Sequence, residues 1–324
     1  MAKFTGQLVN VGIAKEATRG AGATPTFWLP KTAITFDDRV TKAISEEGLG
    51  VIDDANDAFV TQLRGEGSIE GYIRDKSFGL LVMAMLGGAP STGGANPYTH
   101  TWTGPTQTNQ HQSLAFSVLD PIGEVMFKLV MLEKLSIMAE LNEIVKYQAD
   151  FISRDSDPTD QTASYTNENK FVAKHVTIKT ADAVASLDAA AALPIKSFKI
   201  DMIKNLMPEQ DLGTATLADI HNQRMEVSGE IELLYEDRTY RDYMLNGTYK
   251  CLRLDIVNSE VALGGGLNPR LKIDMPRVHF FDWEADRSND KIAGQKIKFK
   301  ALYDLTNSLN LINSLVLINA NSAY

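Results

Sequence analysis

Alternation of apolar and polar side chains dominates the chain, the spacing that a half-buried strand requires. In the first half it predicts strands over residues 9–14, 33–40 and 59–74, separated by a Gly/Thr/Pro loop at 15–27 and a long acidic loop at 41–58. The period then changes. KSFGLLVMAMLGG (76–88) follows Asp75, which stands where an N-cap belongs, and ends on a glycine pair, so a capped helix is expected there. A polar Pro/Gly/Thr-rich excursion fills 89–112, and further strands are predicted over 113–118, 125–129, 134–139 and 144–153.

The second half gives the same order. A strand at 170–180 is followed by an Ala-rich stretch (181–193). Pro194 and KSFKIDMI (196–203) then stand where Pro30 and KTAITFDD (31–38) stood. A second long loop, NLMPEQDLGTATLADIHN (205–222), precedes a strand at 224–235, a helix at 238–248 beginning after Asp237, and strands at 251–258, 270–275, 277–283 and 293–303. The clearest local agreement is GSIEGYIRDKSF (67–78) with GEIELLYEDRTY (229–240), offset by 229 − 67 = 162 positions. Gly67/Gly229, Ile69/Ile231, Glu70/Glu232 and Asp75/Asp237 are identical. Agreement of neighbours as well as of one window indicates internal duplication of an α+β unit of about 150 residues. The expected units are 1–160 and 166–324. Residues 306–324 carry no charge and read as a strand, either closing its own unit or pairing with a neighbouring subunit.

At 324 residues and 44% hydrophobic, the chain has material for a sizeable core. One cysteine, Cys251, excludes an internal disulfide and a multi-cysteine metal cluster, and lacks an activating neighbour in sequence. No apolar run suggests a signal peptide or a membrane span. The formal charge of −9 disfavours a grip on nucleic acid, since phosphate binding needs clustered Lys and Arg, yet it permits nucleic acid to pass without being held.

Catalytic chemistry finds no foothold. His100, His111, His175, His221 and His279 lie in no metal-ligand spacing; His175 and His279 read as strand residues, and His100 and His111 as solvated loop residues. RGEGS (64–68) reads as strand glycines and LGGGL (263–267) as a hairpin turn. Acidic residues cluster in the long loops, at Glu46, Glu47, Asp53, Asp54 and Asp57, then at Glu209, Asp211 and Asp219. A glycosidase pair needs a rigid, desolvated frame, and such loops do not promise one, so these carboxylates are read as solvated or interface charge. No catalytic, cofactor-binding or metal residue is assigned.

GIAKEATRGAGATPTFWLP (12–30) resembles the opening of siphophage tail tube (major tail) proteins, with Gly12, Glu16, Gly20, Pro25 and Leu29-Pro30 at the matching places. EGSIEGYIRDKSFGLLVMAMLGG (66–88) and YTHTWTGPTQTNQHQSLAFSV (98–118) resemble the next two blocks, in the family's order. The resemblance implies a mainly β (α+β) fold: β-sandwich tube domains, each with one flanking helix, contributing strands to a ring-shaped barrel. It implies a structural, non-enzymatic subunit of a long non-contractile tail, stacked in rings around a channel that conducts DNA. Family members with two tandem tube domains form trimeric, pseudo-sixfold rings, which suits the duplication. Implied partners are further copies of the chain, a tape measure protein and tail tip and terminator proteins, with the protein residing in the virion after assembly in the host cytoplasm. The loop acids Glu46, Glu47, Asp53, Asp54, Asp57, Glu209, Asp211 and Asp219 are then expected to contact an adjacent ring, meeting bases such as Arg19, Arg39 or Arg224. The alternatives are a tandem β-sandwich adhesin or lectin, and a β-rich hydrolase using two loop carboxylates.

Overall fold

A computed structural model describes residues 3–290 and 292–324. The first half begins with β1 (Asn10–Lys15), β2 (Phe27–Leu29), β3 (Lys31–Ile34), β4 (Asp37–Ser45) and β5 (Asp57–Tyr72). Helix α1 (Phe78–Leu86) follows, then β6 (Ser91–Gly93), β7 (Tyr98–Trp102), β8 (Leu114–Leu119), β9 (Glu124–Glu140), β10 (Lys146–Ser153) and β11 (Ser156–Pro158). The second half contains β12 (Val176–Ala181), β13 (Ile195–Ile203), β14 (Leu206–Glu209), β15 (Asp219–Asn222) and β16 (Glu226–Leu234). It ends with α2 (Thr239–Leu245), β17 (Tyr249–Val257), β18 (Arg270–Asp286), β19 (Gly294–Ala301) and β20 (Ser314–Asn319). The protein is mainly β, as the alternation requires.

Strand pairing in the first half runs β1–β8–β9–β10–β5, with β3 and β4 on the far edge of β5. In the second it runs β12–β17–β18–β19–β16–β13. The irregularities coincide too. Thr32 is the extra residue where β3 meets β5, and Lys196 where β13 meets β16. Glu133 is skipped between β9 and β10, and Phe281 between β18 and β19. A bulge adds a residue and bends its strand, so its position marks register as firmly as side chains do.

β9 and β18 are each 17 residues long, where the sequence suggested two strands apiece. Pairing continues through each gap: β9 carries a bulge at Glu133 against β10, and β18 runs through Pro276, where its register against β17 shifts. In the first half the layers meet across Phe36, Phe116, Phe127 and Phe151, whose rings lie 4.6–6.3 Å apart at steep angles. Such edge-to-face pairs add about 0.5–1.5 kcal/mol each beyond simple burial.

The two helices differ in setting. All nine residues of α1 are buried, as a helix apolar all round must be, and it ends at Gly87 in the left-handed conformation (φ 86°). Asp75 does not cap it; its carboxylate accepts from Asn169 N and Nδ2 instead, because the segment before the second half crosses there. Asp237 does serve the start of α2, accepting from Thr239 N at 2.9 Å, yet no α2 residue is fully buried.

The uncharged terminus forms β20, which pairs with β18 on one side and with β7 on the other. It therefore joins the two halves of the same chain. Beyond it, Tyr324 lies over Gly79 of α1, where a Cβ would come within 2.1 Å of the ring. The Tyr324 hydroxyl donates to Lys76 O at 2.6 Å and accepts from Asn319 Nδ2.

Candidate assembly interface

The two long acidic segments behave differently. Residues 41–45 and 57–58, expected in a loop, continue β4 and β5 as a hairpin, because Thr41, Ala43, Ala58 and Val60 keep strand spacing despite their polarity of setting. Only 46–56 turns. Glu46, Glu47, Asp53, Asp54 and Asp57 are exposed, and so are Val40, Ile44, Leu49, Val51, Ile52, Phe59 and Val60. From residue 46 to 61 the hairpin is exposed throughout, and it first meets another segment at Thr61, whose carbonyl accepts from Gln210 Nε2.

The segment 204–224 instead folds down on the first half. Its β14–β15 hairpin buries Leu217 and Ile220 against Leu129, Met131 and Ile152. Arg19 clamps it. Its guanidinium bonds to Asp219 (2.8 Å from Nε), to the His111 carbonyl (2.5 Å) and to the Ile220 carbonyl. Arg154 donates in the same way to the Leu217 carbonyl (2.8 Å) and to that of Ala218. Asp219 is thus committed inside the chain, and Arg19 holds its carboxyl below the ordinary range. Glu209 meets His221 at 2.6 Å, while Asp211 is exposed. Arg224 contacts Glu226 two residues away. The structure brings together Asp219 and Arg19 from the anticipated set, and leaves the first-half acids apart from them.

Beneath this clamp lies a group the sequence does not announce. Lys204 is fully buried, and its Nζ donates to the Ala84 carbonyl of α1 at 2.8 Å and lies 3.5 Å from His111 Nδ1. Burial, reinforced by the Arg19 charge, lowers its pKa to about 7. His111 is lowered to about 4 by burial and by the Lys204 charge, and its Nε2–H donates to the Thr106 carbonyl. His100, also expected in solvent, is buried between Thr92 Oγ1 and the Asn321 carbonyl. Both histidines were misplaced for one reason. The polar excursion 89–112 supplies backbone and hydroxyl partners that let an imidazole be buried, which its composition disguises. Only its place two residues after Met202, in phase with the buried Phe198, Ile200 and Met202, hints at an inward lysine.

Cys251 is buried, its thiol donating to the Pro276 carbonyl, and burial together with nearby Asp304, Asp182 and Asp274 pushes its pKa up. Among the described residues no group of three His, Cys, Asp or Glu could hold a metal ion, and no helix is long and apolar enough to cross a membrane.

The remaining open feature is a pair of strand edges. β13 sits between two strands, β16 and β9, so the two halves join edge to edge in one sheet. Among the described residues β3 and β4 pair with β5 alone, and β18 beyond Phe280 pairs with β19 alone. Among the described residues the row β4–β5–β10–β9–β13–β16–β19–β18 thus runs through both halves with an open edge at each end, a form that can continue into another chain. The sequence model of the family described as phage tail tube protein matches residues 6–278, reaching from before β1 into β18. The chain belongs to that phage tail tube family. It is a structural component of a phage tail, of a family that self-assembles into the tube. A comparison with curated proteins gives no match.

Proposed function

We propose that this tail tube protein is the subunit of a long, non-contractile tail, polymerising as stacked rings around a bore through which DNA enters the host. The single observation that carries this is the in-chain β9–β13 junction, with an unpaired edge remaining on either side of it. Two tandem tube domains, 1–160 and 166–324, are supported by the matching strand order and matching bulges of the two halves. Six such units close a ring from three chains. Closing the ring covers the β3/β4 edge of one chain with the β18 edge of the next, and an uncovered edge of that kind is the standing hazard of an open sheet. Contacts between rings are heterologous and so propagate without limit along the axis.

The acidic balance suits a conduit. Each Lys or Arg in the wall would be a foothold for phosphate, whereas net negative charge repels the DNA backbone within about 10 Å, beyond which salt screens it. The acids Glu46, Glu47, Asp53 and Asp54 at the hairpin tip, together with Asp57 and the second-half Asp211, are exposed, and in the stacked tube they would meet a neighbouring ring. A tape measure protein inside the bore and tip and terminator proteins at its ends are the partners such a tube requires, with assembly in the host cytoplasm and residence in the virion tail. Negative-stain electron microscopy of the purified protein, across protein and salt concentration, tests the reading. Rings with threefold or pseudo-sixfold symmetry, or hollow tubes, are expected; globular monomers under every condition would refute it.

A further inference from the structure

We propose that one copy of this chain pairs with a second copy in one specific register: residues 33–39 of the first run antiparallel to residues 282–288 of the second. The inference rests on the tube reading above and adds the contacting residues. Its template lies inside the chain. Residues 197–203 of β13 pair with 140–134 of β9, Ile200 facing Ile137 and Asp201 facing Ser136. On its other edge β13 meets β16, with Ile200 opposite Gly229. The first-half strand that meets β5 in the same way places Phe36 in that position, since Thr32 and Lys196 are corresponding bulges. Likewise Glu133 and Phe281 are corresponding bulges, so Ile137 of β9 corresponds to Ala285 of β18.

Carrying the junction across gives Phe36 opposite Ala285, Asp37 opposite Glu284, Asp38 opposite Trp283 and Arg39 opposite Asp282 of the second copy. Both edges are free for this. Among the described residues, 33–39 pair as a strand only toward β5, with the Asp38 carboxylate also accepting from Ser156 N and Oγ, and the edge of β18 that carries β17 up to His279 has no strand beside it from Phe280 to Ala285. The junction's next contact transfers as well. Lys204 N donates to the Glu133 carbonyl at 2.9 Å, and the corresponding residues are Val40 and Phe281. These two apolar side chains are 49% and 59% exposed, an arrangement without purpose in a lone chain and dry in the proposed pair. Charge agrees at the end of the row. Arg39 has no ion pair among the described residues, and it would face Asp282, which holds Lys298 at 2.8 Å on its other flank. Asp37 and Glu284 face each other as like charges, with Lys296 beside Glu284.

Cysteine pairing reads the register. Thr35 N donates inward to Ser68 O, so Phe36 turns its backbone outward and Asp37 opposite Glu284 is a non-hydrogen-bonded pair. Such a pair brings Cα atoms to about 4.5 Å, inside the disulfide range of about 4.4–6.8 Å. Full-length Asp37→Cys/Glu284→Cys, oxidised and run on a non-reducing gel, is expected to give a covalent ladder ending at the ring size. Each single variant, and Asp37→Cys/Asp282→Cys with its two-residue slip, is expected to lose that ladder. Cys251 stays buried and silent. A second test exchanges charge: Arg39→Asp or Asp282→Arg alone is expected to raise the critical concentration for assembly roughly tenfold, and the double exchange to restore it. Tubes that form with the Asp37→Cys/Glu284→Cys pair uncrosslinked, or single and double exchanges that assemble alike, would overturn the register while leaving the tube reading intact. Wild-type protein that never associates would overturn the tube reading itself and this inference with it.

Discussion

Replacing Lys204 by Met tests the least expected feature of the molecule, a fully buried lysine between α1 and the clamped loop. Met keeps the length of the aliphatic stem and removes the titration. In the native protein Lys204 gives up its proton above about 7, whereas in the unfolded chain it keeps it up to the ordinary value of 10.5. Between those values the unfolded state binds more protons, so native stability rises as pH rises, by about 1.4 kcal/mol per pH unit at the steepest. From pH 7.5 to 9.5 the wild type should therefore gain about 2–3 kcal/mol relative to Lys204→Met. The Ala84 carbonyl loses its donor in the variant, at about 1 kcal/mol, but that cost is independent of pH and leaves the difference in slope untouched. Urea unfolding of dispersed protein at several pH values reads the effect directly. With a denaturant slope of about 3 kcal/mol per molar, the gap between the two midpoints should move by nearly 1 M in favour of the wild type. Midpoints that run parallel from pH 7.5 to 9.5 would show that Lys204 stays protonated in the native state, and the account of the cluster would fall.

Three further outcomes follow from the packing. Gly67→Ala places a Cβ about 2.5 Å from Phe36 Cα and Thr35 O at a φ of 152°, and should lower stability by about 3 kcal/mol or more, seen as a lower urea midpoint. Gly213→Ala, at a positive φ with open space around it, is the control, costing about 1–2 kcal/mol of strain at most. Arg19→Ala takes the Arg19 donors from the His111 and Ile220 carbonyls and leaves Asp219 with Gln110, and should cost about 3 kcal/mol; limited proteolysis should then cut within 204–222 at a rate the wild type does not show. Tyr324→Ala empties the site over Gly79 and leaves Asn319 short of a partner, which should cost about 3 kcal/mol and open β20 to faster amide exchange than β18.

The sequence by itself carried what is local or periodic. Alternation located the long strands, though not β2, β6, β7, β11, β14 or β15, and the fully apolar run before Gly87-Gly88 located α1. The spacing that sets Gly67 against Gly229 is also the register in which β5 and β16 meet β10 and β19. These are legible because strand and helix impose periods of two and 3.6 on whichever residues will be buried. Tertiary structure alone decided the rest. It turned the first acidic loop into a bare hairpin and folded the second against Arg19, although the two read alike in composition. It buried His100, His111 and Lys204, all in segments that look solvated. It spent the uncharged terminus on β7 within the same chain. For Asp219, Lys204 and His100 the partner lies 120 to 221 residues away, at Arg19, Ala84 and Asn321. No window along the chain contains both members of such a pair, and a polar side chain is buried only where its partner already waits.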